Sequence, residues 1–517
     1  MMAVAPGSDV MDHVHTDWFA EWARFAPTSI AIEEYESGRR FSYAACHTII
    51  RRTAALLRNA YGVRAGDRVA ILSTNDAEYV FLFFAVMRLG AMLVPVNYRL
   101  APREVQHVLG DCAPRLLLHA EQFADTVAAL DEVSDMARAA WDGEAGFAAR
   151  MHDETLPLDG AAADAGFATP VMILYTSGTT GAPKGAIITH GMLFWNSINT
   201  GLRLNLVQSD VTLTFAPFFH TGGWNVLTTP YLHRGARIIL MRKFDADAVL
   251  RLCDSAGVTI LFGVPTMMDM MHRSERFAHA SLASVRYAIV GGEPMPAPLI
   301  RAWQEKGVPI RQGYGLTEFG PNVYSLNEED AIRKIGSIGF PNFYIDARVV
   351  RDDGSECGVD EVGELVLRGP VCTPGYWNNA EATAAAIRDG WFHTGDLVRR
   401  DAEGYYYVVD RKKDMFISGA ENVYPAEIEH LLRTHPAVDQ VAVVGVPDAT
   451  WGEVGRAFVV LRAGVAATEA ELLDYCRGRL ARYKIPKSVR FLDALPVSDS
   501  GKILKRALRD VSLKDAS

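Results

Sequence analysis

Between positions 68 and 119 the chain alternates short apolar runs with stretches of helical period: 69–72, 77–89, 92–96, 102–110 and 116–119. Apolar runs of four or five residues suit strands buried on both faces, and the 3.6-residue period between them suits covering helices, so the pattern predicts a βαβαβ unit. The runs 171–174 and 187–189 read as two strands flanking a glycine-rich loop, a hairpin. A similar alternation resumes at 211–215, 236–240, 246–255, 259–262 and 287–290, which predicts a second α/β lobe. The Ala-, Gly- and Asp-rich stretch 142–165 reads as a surface connection between the lobes.

From position 345 the texture changes. Short strands at 347–350, 364–367 and 405–409 are separated by turn signals such as Asp352-Asp353-Gly354 and Ala402-Glu403-Gly404, and they predict a small β-barrel-like subdomain. Arg411-Lys412-Lys413-Asp414 is a polar break. Beyond it Pro425 opens a helix, 441–446 forms a strand, 469–480 a helix, and the basic tail from 484 reads as a solvated face. The expected class is α/β, with a large N-terminal domain over 1–411 and a small α+β C-terminal domain over 412–517.

A chain of 517 residues is long for one core, which fits two domains. Its net charge of −10 argues against nucleic-acid binding, so any phosphate ligand must be held by local groups. The six cysteines include no C-x-x-C pair, which disfavours a disulfide scaffold and a zinc site and fits a reducing, cytoplasmic setting. The most apolar stretch, 79–96, is interrupted by Arg88, Gly90 and Pro95, as expected of a buried helix and strand rather than a membrane span. The first 18 residues lack the apolar core of a secretory signal.

The densest chemistry lies in Tyr175-Thr176-Ser177-Gly178-Thr179-Thr180-Gly181-Ala182-Pro183-Lys184-Gly185. Glycines let backbone N–H groups approach an anion, the hydroxyls of Thr176, Ser177, Thr179 and Thr180 donate, and Lys184 adds a cation. The P-loop template fails here, since Gly185 stands where Ser or Thr must follow the lysine. Tyr314-Gly315-Leu316-Thr317-Glu318 follows the end of a predicted strand, where α/β proteins bind ligands. Tyr314 could stack on a purine, Thr317 bond a phosphate and Glu318 hold Mg²⁺, although a structural turn has the same spelling. Thr394-Gly395-Asp396 presents a carboxylate on a glycine turn suited to ribose hydroxyls, or a plain Asx turn. Lys502 in Ser500-Gly501-Lys502 has the setting of a surface lysine. His220, in Phe218-Phe219-His220-Thr221-Gly222-Gly223-Trp224, is either a core histidine or a gate at an apolar acyl pocket walled by Trp224.

Together these stretches, in order and with matching gaps, resemble the adenylate-forming superfamily of acyl- and aryl-CoA synthetases over nearly the whole chain. The resemblance implies two α/β lobes plus a β subdomain, a small mobile C-terminal domain, and a two-step reaction. A carboxylate attacks the α-phosphate of Mg·ATP to give acyl-AMP and pyrophosphate; then the thiol of coenzyme A takes the acyl group. It implies that Thr176, Ser177, Gly178, Thr179, Thr180, Gly181 and Lys184 grip the β- and γ-phosphates, and that Thr317 meets the α-phosphate. Glu318, with Thr176, would serve the magnesium. Gly292, Glu293 and Tyr314, with Gln312 and Gly313 beside them, would line the adenine, and Asp396 with Arg411 the ribose. Lys502 would reach the carboxylate and α-phosphate, and Lys413 falls at the hinge. Gly419 and Trp451 would border the pantetheine path, and His220, Trp224 and Gly315 the acid. Gly419-Ala420-Glu421 departs from the two glycines of many relatives.

The aromatic segment at His220–Trp224 leans the substrate toward a medium- or long-chain fatty acid. The alternatives are an aryl acid such as benzoate, cinnamate or ferulate, or loading of a carrier protein. The other expectations are a small-molecule acid as partner, no integral membrane segment, and possible homodimerisation.

Overall fold

The structure, a computed structural model, describes residues 17–130, 136–160, 162–176, 183–293, 295–418, 421–448, 450–477, 479–497 and 503–514. It is mixed α/β and divides into two compact units, Met1–Ala347 with Leu367–Phe392, and Arg348–Val366 with His393–Ser517.

The first unit carries the predicted βαβαβ pattern. Arg68–Leu72, Met92–Pro95 and Leu116–His119 are parallel strands, and Ala77–Arg88 and Pro102–Cys112 are the intervening helices. They belong to a six-stranded sheet that ends in Pro170–Thr176 and its antiparallel partner Lys184–Thr189. The helix Ala77–Arg88 is buried from Ala77 to Met87, its apolar run packed in the core and its one buried carboxylate, Glu78, paired with Arg39 at 2.7 Å, and Asp76 caps it by accepting from the Tyr79 N–H at 2.7 Å. No described helix is long and apolar enough to cross a membrane. A second sheet sets Val211–Thr214 and Arg237–Leu240 beside Ile30–Glu34 and Arg40–Ser42. The third runs Ile260–Gly263, Tyr287–Val290 and Ile310–Tyr314 in parallel, then adds Tyr324–Ser325 and Ser337–Pro341 antiparallel.

The stretch 142–165 is more than a surface connection. Phe147 and Met151 lie in the main core beside Trp141, whose indole donates to Asp76 at 2.7 Å, and Asp159 is buried against Arg58. Its Ala/Gly/Asp composition hides these anchors, because two large apolar side chains suffice to pin a loop.

The second unit holds two sheets. Asp346–Val350, Gly363–Arg368, Trp391–Arg400 and Tyr406–Arg411 form one. Val438–Asp448 and Gly452–Leu461 centre the other, with Phe416–Ser418, Glu421–Val423 and Ser488–Phe491 alongside. Val441 and Val443 face one apolar cluster while Ala442 and Val444 face another, so the apolar run 441–446 is a strand buried on both sides. The helix expected over 469–480 stops at Cys476. Its carbonyl is taken by the N–H groups of Arg479 and Leu480 as the chain turns extended at Arg477. The tail expected to be a solvated face contributes the strand Ser488–Phe491 and the helix Lys505–Lys514, because Val489 and Leu508 supply buried contacts between its charges.

Candidate active site

Thr176 and Lys184 are register partners at one end of the antiparallel pair, and the Thr176 hydroxyl donates to the Lys184 carbonyl at 3.4 Å. Ser177, Gly178, Thr179, Thr180 and Gly181 lie outside the described residues. The segment 373–379 runs along the same strand. Ile187 N–H donates to Gly375 O, Trp377 N–H to Gly185 O at 2.7 Å, and the Thr373 hydroxyl to Ile187 O at 2.7 Å. This places Tyr376 between two predicted site residues. Its hydroxyl donates to Glu318 Oε1 at 2.9 Å, and Lys184 Nζ lies 5.5 Å from its ring centroid. Burial and the Glu318 charge push the Tyr376 phenol well above its usual range, so it stays a donor. Sequence reasoning missed Tyr376. The only local signal was an aromatic pair following Gly375, and its partner lies 58 positions away.

The strand Ile310–Tyr314 leads directly into a 3₁₀ turn, Thr317–Phe319, which packs against Lys184–Thr189. Gln312 is nearly buried and ties down the neighbouring loop. Its amide donates to Val290 O and Glu293 O, both at 3.1 Å, and accepts from Met295 N–H at 3.2 Å. Gly292 and Glu293 are thereby held exposed beside Gly313, with Tyr314 edge-on to Tyr324 at 5.8 Å. Gly315 is fixed by close approach, since a Cβ there would stand 1.3 Å from Pro321 O.

The segment after His220 is locked to this motif. Asn322 donates to Thr200 Oγ1 at 2.6 Å and to Asn225 O and Val226 O at 3.1 Å, and Asn196 donates to Asn225 O at 2.7 Å. His220 is half-buried and precedes the short helix Thr221–Trp224, its ring 4.5 Å from that of Phe219. Trp224 is not a pocket wall. It is 0% exposed, stacks on Phe218 at 4.0 Å, and donates its indole N–H to Phe218 O at 2.6 Å, so core packing consumes both ring face and donor. Near it Phe215, Ala216, Gly222, Gly223 and Phe262 line a cavity of about 10 Å³, the size of one water.

In the second unit Thr394-Gly395-Asp396 is not an isolated turn but a kink inside the strand Trp391–Arg400. Gly395 takes φ +69°, and the register slips between Leu397 and Val398. Thr394 donates to Leu365 O at 2.8 Å, and Glu364 accepts from Gly395 N–H at 3.2 Å and from Lys412 Nζ at 3.3 Å. Nearly buried Asp396 meets its register partner Arg411, Nε to Oδ1 at 2.6 Å. Lys413 is exposed, and its carbonyl accepts from Arg509 at 3.4 Å. Trp451 is 48% exposed, its N–H bound to Asp448 at 3.0 Å. Gly419 and Lys502 lie outside the described residues.

Among the described residues no group of three or more His, Cys, Asp or Glu side chains could hold a metal by itself. A hard cation here must therefore take most of its oxygens from a phosphate ligand, the usual manner of Mg²⁺. One carboxylate with a single oxygen engaged by a phenol fits that requirement, and Glu318 is such a group.

Residues 19–377 match the family model described as AMP-binding enzyme, and 427–502 match that of the AMP-binding enzyme C-terminal domain. The chain is 42% identical to a feruloyl-CoA synthase of an Amycolatopsis species over 95% of its length and 98% of the relative's. It is 38% identical to the long-chain-fatty-acid–CoA ligase FadD13 of Mycobacterium tuberculosis over 94% and 96% of the two chains. Its structure superposes on ATP-bound MatB from Rhodopseudomonas palustris with a TM-score of 0.89 and 32% identity, covering 96% and 99%.

Proposed function

From the premise that this chain belongs to the AMP-binding enzyme family, as an AMP-forming acid–thiol ligase using ATP, Mg²⁺ and coenzyme A, we propose that its acid is a planar aromatic carboxylic acid. The observation that carries the choice is the locked Trp224. A gate to an alkyl tunnel must swing, and this indole is stacked, hydrogen-bonded and fully buried. The apolar lining next to that segment, Phe215 and Phe262 with Gly222 and Gly223, offers aromatic faces and small residues, the chemistry against which an aryl ring packs. The 42% identity to a feruloyl-CoA synthase supports this reading.

In the proposed assignment Thr176, Lys184 and the hydroxyl-rich residues between them grip the polyphosphate, Thr317 takes the α-phosphate, and Glu318 with Thr176 serves the Mg²⁺. Gly292, Glu293, Gln312, Gly313 and Tyr314 form the adenine seat, and Asp396 with Arg411 takes the ribose hydroxyls. When bound, Mg²⁺ neutralises oxygens on the phosphate tail, easing approach of an anionic carboxylate. In the same assignment Lys184 and Lys502 would supply cations where charge accumulates, and His220 with Gly315 would orient the acid. Residues 412–517 form a body that turns about Lys413 and presents Gly419 and Trp451 to pantetheine.

An ATP–pyrophosphate exchange screen tests the substrate. Benzoates, cinnamates and arylacetates should support exchange with kcat/KM well above that of C8 to C16 fatty acids. Preference for the fatty acids would overturn the aromatic assignment while leaving the family intact.

A further inference from the structure

Resting on the acid–thiol ligase reading, we propose that Tyr376 is a positioning residue that presents Glu318 to Mg²⁺ and keeps Lys184 available to the polyphosphate. The phenol donates to Glu318 Oε1 at 2.9 Å, and the described residues offer Oε2 no donor. A carboxylate fixed through one oxygen has its other oxygen aimed, which is how hydrogen-bonded supports orient metal ligands. On the ring face, Lys184 Nζ stands 5.5 Å from the centroid, within cation–π range. Among the described residues no ion pair joins Lys184 to Glu318. The ring stands between two opposite charges that would otherwise collapse onto each other, and both remain free for a ligand that carries phosphate and metal together.

Tyr376 is itself immobilised. Its N–H donates to Thr383 Oγ1 at 2.9 Å, and its backbone bridges to Ala186. The adjacent Trp377 N–H holds Gly185 O at 2.7 Å, and Thr373 N–H holds the Glu318 carbonyl at 2.8 Å. The segment thus grips Glu318 through both backbone and side chain. A tyrosine needed only to fill space would gain nothing from a hydroxyl directed at a carboxylate.

Two variants separate the two roles. Tyr376→Phe keeps the ring under Lys184 and removes the bond to Glu318; Tyr376→Leu removes both. Calorimetric titration of the full-length protein with ATP across a Mg²⁺ series needs no turnover. Tyr376→Phe should raise the Mg²⁺ midpoint by about 10- to 100-fold, while ATP affinity at saturating Mg²⁺ and KM for the acid stay at wild-type values. Tyr376→Leu should also weaken ATP at saturating Mg²⁺. A wild-type Mg²⁺ midpoint in Tyr376→Phe overturns the proposal. So does a loss shared equally by ATP and acid and tracking a lower melting temperature. A wild-type protein that binds Mg·ATP but exchanges no pyrophosphate with any acid would instead remove the ligase reading, and the binding titration would still judge Tyr376.

Discussion

Replacing Gly315 by alanine tests whether the 314–323 loop is as rigid as its contacts imply. The added Cβ would stand 1.3 Å from Pro321 O, where ordinary contact begins near 3.4 Å, so about 2 Å of separation must open. The loop has little room to supply it. Val323 N–H is bound to Tyr314 O at 3.1 Å, and Asn322 is held by Thr200 Oγ1, Asn225 O and Val226 O. Overpacking of this kind costs about 1–3 kcal/mol, and each buried polar group left unpaired adds about 1–3 kcal/mol. A loss of roughly 3 kcal/mol in unfolding free energy is expected if one Asn322 bond is broken. Because Thr317 and Glu318 lie two and three positions beyond Gly315, a shift of about 1 Å in their placement should reduce kcat/KM for adenylation by on the order of 100-fold. Urea unfolding followed by circular dichroism and ATP–pyrophosphate exchange measure the two effects. A Gly315→Ala protein within about 0.5 kcal/mol of wild type and with unchanged exchange would refute the reasoning.

Three further outcomes follow from the same geometry. Trp224→Ala should destabilise by about 3–5 kcal/mol through a core cavity, without opening the enzyme to longer alkyl acids; a stable variant that gains C16 activity would show that the indole does line a pocket. Asp396→Asn removes the carboxylate that meets Arg411 and should raise KM for ATP by roughly 10- to 100-fold, with KM for the acid unchanged, since charged hydrogen bonds contribute about 1.5–3 kcal/mol; equal shifts for both substrates in exchange kinetics would count against a ribose contact. Burial, together with the Glu78 charge, pushes the Asp76 carboxyl up to about 7, against N–H donation from Trp141 and Tyr79. The folded value lies above the unfolded value of about 4, so this group's stabilisation is whole below about pH 4 and is lost as pH rises through about 7, by at most ~4 kcal/mol. Asp76→Asn, which keeps the helix cap, should flatten that part of the pH dependence of the urea midpoint, and an unchanged slope would contradict the assignment.

The sequence by itself determined the elements whose cause is local. Short apolar runs separated by helical periods made 68–119 a βαβαβ unit, and the valine run at 441–446 a strand, because periodicity acts over a few residues. The motifs around Thr176, Thr317, Glu318 and Asp396 carried the resemblance to the adenylate-forming superfamily, and the contact of Asp396 with Arg411 is made by the pairing of two adjacent strands. Tertiary structure alone decided what depends on partners distant in the chain. Tyr376 reaches Glu318 across 58 positions, Phe147 and Met151 turn an Ala/Gly-rich connection into core, and Trp224 meets Phe218, Phe83 and Tyr79 rather than a pocket. An aromatic side chain looks the same in sequence whether it faces a ligand or a neighbour. Only the folded chain settles which, because burial belongs to whatever surrounds a residue in space.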